Sequence, residues 1–99
     1  MRLEESGLVN DLNKTYGYPT VVLFGSYVRG EAVEGSDVDI AVISESKASA
    51  RTDKFEGYLK RSVQLFVFSK LELVKLKKLN PSLYSGVING IVISGQLDV

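Results

Sequence analysis

The chain has no cysteine and no histidine in its 99 residues. The first absence excludes disulfides, thiolate zinc sites and cysteine nucleophiles. The second removes imidazole both as a general base and as a metal ligand. Acid–base or metal chemistry must therefore come from carboxylates, lysine, tyrosine or hydroxyls. Net charge is also missing, because 12 Lys+Arg balance 12 Asp+Glu. The composition thus carries no bulk attraction to nucleic acid or to a membrane surface. No apolar run approaches the roughly 20 residues of a membrane span. Glu4 and Glu5 stand where a secretory signal needs an apolar core. Together these absences predict a cytoplasmic protein with no membrane partner.

At 44% apolar and 24% charged residues the chain has the make-up of an ordinary globule. Its length predicts a single domain over 1–99, with room for one modest core. Leu8, Leu12 and Tyr16 recur four residues apart, which predicts a helix over Arg2 to Tyr16 with Asp11, Asn13 and Lys14 facing away. Gly17 and Pro19 end it. Thr20 to Phe24 is apolar on both faces and reads as an interior strand. A short helix over Ser26 to Ala32 and a second strand over Asp37 to Ile43 follow. Ser44 to Gly57 is polar and poorly periodic, and fits a short helix or a loop equally. A third strand is expected over Ser62 to Phe68. Ser69 and Glu72 then form a capping box opening a helix over Lys70 to Leu79. Lys70, Lys75, Lys77 and Lys78 on that helix read as a solvated face. Asn80-Pro81 starts another helix, and Ile91-Val92-Ile93 a last strand. The fold class expected is α/β (α+β), a small mixed sheet flanked by helices.

The most informative stretch lies between the first two strands. Gly25-Ser26 directly follows Val21-Val22-Leu23-Phe24, and ten residues later Asp37-Val38-Asp39 runs into Ile40-Ala41-Val42-Ile43. Side chains alternate along a strand, so Asp37 and Asp39 share a face, roughly 7 Å apart at Cα. Paired carboxylates repel unless a cation sits between them. Hard dications such as magnesium suit such an oxygen cluster, commonly together with substrate phosphates. Asp37 also fits an ordinary turn. Asp39, between Val38 and Ile40, is harder to place without a cation or several donors, because an unpaired buried carboxylate is costly. Gly25 can take backbone angles that let the chain pass close to a ligand. Ser26 offers a hydroxyl and an amide at a helix start, which suits either a cap or a phosphate. Arg29 fits a phosphate, an acid or plain solvent.

Gly25-Ser26-Tyr27-Val28-Arg29-Gly30 followed by Ser36-Asp37-Val38-Asp39-Ile40 resembles the motif of the nucleotidyltransferase superfamily related to DNA polymerase beta. It is most similar to the smallest branch, the minimal nucleotidyltransferases. The resemblance covers the chain in element order, with its specific part in about fifteen residues. It implies a nucleotidyltransferase fold, with Asp37 and Asp39 as catalytic magnesium ligands and Gly25, Ser26 and Arg29 at the nucleotide. It further implies transfer of a nucleoside monophosphate, AMP from ATP, to a hydroxyl. Such domains are typically paired with a small helical HEPN-class protein, which they adenylylate on tyrosine as its antitoxin in a toxin–antitoxin system.

The sequence departs from this family at one catalytic position. A third carboxylate is usual on the third strand, and the matching residue here is Gln64; no Asp or Glu occurs between Gly57 and Leu71. In two-metal phosphoryl transfer the ions, roughly 3.5–4 Å apart, stabilise both attacking and leaving oxygens. Glutamine offers a neutral carbonyl oxygen but accepts no proton at neutral pH. A catalytically impaired module that binds nucleotide and magnesium, and acts by protein contact, is therefore the second reading. Asp53 and Glu56 are potential substitutes for the absent acid, and a homo-oligomer in which a neighbouring subunit supplies it stays open.

Overall fold

The computed structural model describes residues 7–25, 37–46, 56 and 62–95. In these the chain runs α1 (Leu8–Tyr16), β1 (Thr20–Phe24), β2 (Val38–Ile43), β3 (Val63–Phe68), α2 (Lys70–Leu79), α3 (Pro81–Ile88) and β4 (Ile91–Ser94). The four strands form one mixed sheet in the order β3-β2-β1-β4. β1 pairs antiparallel with both β2 and β4, whereas β2 and β3 run parallel. β1 is interior, as its two-sided apolar character requires.

Alternation along the strands builds a core on each face of the sheet. On one face Val21, Leu23, Val38, Ile40 and Val42 pack against Leu8, Leu12 and Tyr16 of α1. On the other, Val22, Phe24, Ala41 and Ile43 meet Leu73 of α2 and Val87 of α3. Full burial of a side chain such as Leu8, Leu12 or Leu73 contributes about 1.5–3 kcal/mol.

The element ends follow local chemistry. Gly17 closes α1 in the left-handed conformation at φ 72, which a glycine adopts without steric cost. The Ser69 hydroxyl accepts from the Glu72 backbone N–H at 3.1 Å, and the Glu72 carboxylate accepts from the Ser69 N–H at 2.9 Å. Asn80 caps α3 by accepting from the Leu83 N–H at 3.2 Å.

Four boundaries differ from the sequence reading. The first helix begins at Leu8, because Gly7, expected inside it, is a left-handed N-cap at φ 85. β2 begins at Val38 rather than Asp37, β3 at Val63 rather than Ser62, and β4 extends to Ser94. Asn13 does not simply face away: its Oδ1 accepts from the Ser94 hydroxyl at 3.2 Å, tying α1 to β4. Residues 2–6 of the first expected helix and the whole of the expected helix over Ser26 to Ala32 lie outside the described residues. Among the described residues, no helix is long and apolar enough to cross a membrane.

Candidate active site

Sheet register brings the site together at one end of β1 and β2. Asp39 stands opposite Phe24 across the antiparallel ladder and opposite Gln64 across the parallel one. Residues directly opposite one another project from the same face, so Phe24, Asp39 and Gln64 form a row on the side covered by α2 and α3. Val38 points the other way and is fully buried against the α1 side. Its burial fixes which way its neighbours face, since a slip of one residue would turn the acids into the core on the α1 side.

Asp37 lies one residue before β2, yet its side chain belongs to the same row. The Gln64 Nε2 donates to Asp37 Oδ2 at 3.0 Å. Asp37 and Asp39 are both half-buried, while Gln64 is exposed. The floor beside them is aromatic: Phe24 is buried, and its ring centroid lies 5.6 Å from that of Phe66.

Gly25 completes the described part of the site. It has φ 87, the left-handed region that favours glycine. A Cβ built on Gly25 would overlap Asp39 Oδ2 and lie 3.0 Å from Asp39 Cγ. The sequence reading expected Gly25 to admit a ligand closely; the group it admits in the structure is the Asp39 carboxylate. Turn and acid are therefore in direct contact. Ser26 and Arg29 lie outside the described residues.

Two carboxylates on one face, next to a glycine turn, suit a single hard dication together with phosphate oxygens. A third acid is not part of the row: among the described residues, no group of three or more His, Cys, Asp or Glu is placed to hold a metal. Asp53 lies outside the described residues. Glu56 is engaged elsewhere, its Oε2 accepting from the Val63 N–H at 2.7 Å. The Val38 N–H bonds to Ser62 O, so the Val63 N–H faces the outer edge of β3, and Glu56 covers part of that edge.

An open cleft of about 340 Å³ lies at the opposite end of the sheet, among Tyr16, Pro19, Ile43, Ser44, Glu45 and Lys70. It contains none of the predicted site residues. Its polar groups bond among themselves: Ser44 Oγ accepts from the Ser46 N–H at 3.1 Å, and Glu45 Oε2 from the Lys70 N–H at 3.0 Å.

Comparison with known proteins identifies the family of the chain. Residues 9–97 match the family model described as polymerase beta, nucleotidyltransferase. The chain is 34% identical over 83 residues to the protein adenylyltransferase MntA of Thermococcus cleftensis, covering 83% of this chain and 80% of that one. It is 35% identical over 81 residues to a putative protein adenylyltransferase of Methanocaldococcus jannaschii, covering 72% of this chain. The match spans only 54% of that relative's length. No solved structure matches the chain.

Proposed function

Because the chain belongs to the polymerase beta nucleotidyltransferase family, we propose that it transfers AMP from ATP to a hydroxyl group and releases pyrophosphate. The acceptor in this reading is a tyrosine hydroxyl on a small helical partner of the HEPN class, which the chain restrains as an antitoxin. The observation that carries the reading is the contact between Gly25 and the Asp39 carboxylate. It joins the glycine turn to the acid pair in space, as a site for a metal-bound triphosphate requires. The choice of AMP and of a protein acceptor is supported by the two relatives, both named for protein adenylylation.

Asp37 and Asp39 would hold one magnesium ion, which when bound offsets the charge of the triphosphate. The residues themselves orient the substrate. Asp37 and Asp39 supply two oxygen donors on one face, and Val38 between them, buried on the α1 side, keeps both acids on the other. Ser26 and Arg29 are the proposed phosphate contacts, through hydroxyl, amide and planar guanidinium. No side chain at residue 25 stands between turn and acid.

A second reading is favoured by one contact, the Gln64–Asp37 hydrogen bond. With an amide where an acid would assist the nucleophile, the chain binds nucleotide and restrains its partner by contact rather than by turnover. Labelled ATP, magnesium and a candidate helical partner separate the two. The natural chain is expected to label the partner slowly, Gln64→Asp faster, and Asp39→Asn not at all. Magnesium-dependent nucleotide binding without label transfer, in the natural chain and in Gln64→Asp alike, would favour the second reading. Labelling unchanged in Asp39→Asn would refute the proposed site.

A further inference from the structure

An ionised carboxylate presents acceptors only, so Gln64 can bond to Asp37 only through its amide N–H. The 3.0 Å contact from Nε2 to Oδ2 therefore fixes which way the amide faces. Its nitrogen, with partial positive charge, is turned toward the acid pair, and its carbonyl oxygen is turned from the oxygen it bonds. Register strengthens the point, because Gln64 sits directly opposite Asp39 while bonding to Asp37. The amide thus reaches across the face that both acids share.

We infer that Gln64 is a positioning residue whose amide N–H stands in for a second cation, so that this chain takes up one dication per bound nucleotide rather than two. The inference rests on the nucleotide-site reading above and specifies its metal content. Two negatives with an N–H donor beside them are partly compensated without metal. A cation entering between residue 64 and Asp37 would meet the N–H rather than an oxygen. For Gln64 to share a cation with Asp37 its amide must turn over, giving up the hydrogen bond to Asp37. An acid at this position would remove the donor, add a third negative charge and open the second locus.

The test counts manganese per bound molecule of a non-hydrolysable ATP analogue, by equilibrium dialysis with electron paramagnetic resonance of the retained ion. The natural chain is expected to retain about one ion per analogue. Gln64→Asp and Gln64→Glu are expected to retain about two, with the spectral broadening of neighbouring manganese ions. Using both acids covers the case in which one of them fails to fold, which circular dichroism would reveal. Two ions in the natural chain overturn the inference while leaving the nucleotide site standing. One ion in both folded acid variants overturns it equally. Failure of the natural chain to bind the analogue with manganese removes the nucleotide-site reading itself, and this inference with it.

Discussion

Gly25 and Asp39 touch: the backbone of the turn lies where only a hydrogen can stand between it and the carboxylate. A Cβ on residue 25 would overlap Asp39 Oδ2, and φ there is already 87. Gly25→Ala therefore suffers twice. Left-handed backbone strain costs about 1–2 kcal/mol, or roughly 4–16 °C in Tm for a domain of this size. The overlap adds to that and displaces the acid. Thermal unfolding should show the loss of stability. Titration with magnesium and an ATP analogue at low temperature, where the variant is still folded, should show nucleotide binding lost as well.

Ser69→Ala separates stability from the site. The capping box joins Ser69 and Glu72 through reciprocal bonds of 3.1 and 2.9 Å at the start of α2. Removing the hydroxyl should cost about 1 kcal/mol, roughly 4–8 °C in Tm. Nucleotide affinity measured well below Tm should not change, since Ser69 lies beyond the end of β3 farthest from Gln64.

Gly90→Ala should affect both properties. A Cβ there would lie 2.6 Å from Leu23 O, 2.7 Å from Val22 Cγ1 and 3.0 Å from Phe24 Cβ. The turn between α3 and β4 thus presses on the last three residues of β1, which lead directly into Gly25. Overpacking of this kind costs about 1–3 kcal/mol. Denaturant unfolding should report that cost, and nucleotide affinity should fall with it, unlike in Ser69→Ala. Unchanged affinity would mean that β1 absorbs the strain before it reaches the turn.

Much of this architecture was legible in the residues. Two-sided apolarity marked β1 as interior, the Ser69–Glu72 spacing gave the start of α2, and Asn80-Pro81 gave the start of α3. Period-2 alternation assigned Asp37 and Asp39 to one face, and the buried Val38 shows why the sheet keeps that choice. Matching the third strand by motif pointed to Gln64, and the register pairs it with Asp39. Contacts between side chains distant in sequence were not legible. The Gln64–Asp37 bond spans 27 residues and the Ser94–Asn13 bond 81, and no local pattern encodes either. By sequence Glu56 is a potential substitute acid, but its carboxylate bonds to the Val63 N–H. The close approach of Gly90 to Val22, Leu23 and Phe24 is equally hidden, because that strand lies nearly seventy positions earlier.

The acid pair at the glycine turn is tested most directly by binding, without any acceptor. An ATP analogue should be titrated calorimetrically into the natural chain and into Asp39→Asn, each with magnesium and then with chelator. The account predicts binding that requires magnesium in the natural chain. In Asp39→Asn, measured well below its Tm, it predicts a loss of at least about 100-fold, the upper range for disturbing even an outer partner of a metal site. Equal affinity in the presence of chelator, or an Asp39→Asn variant that binds as tightly as the natural chain, would contradict it.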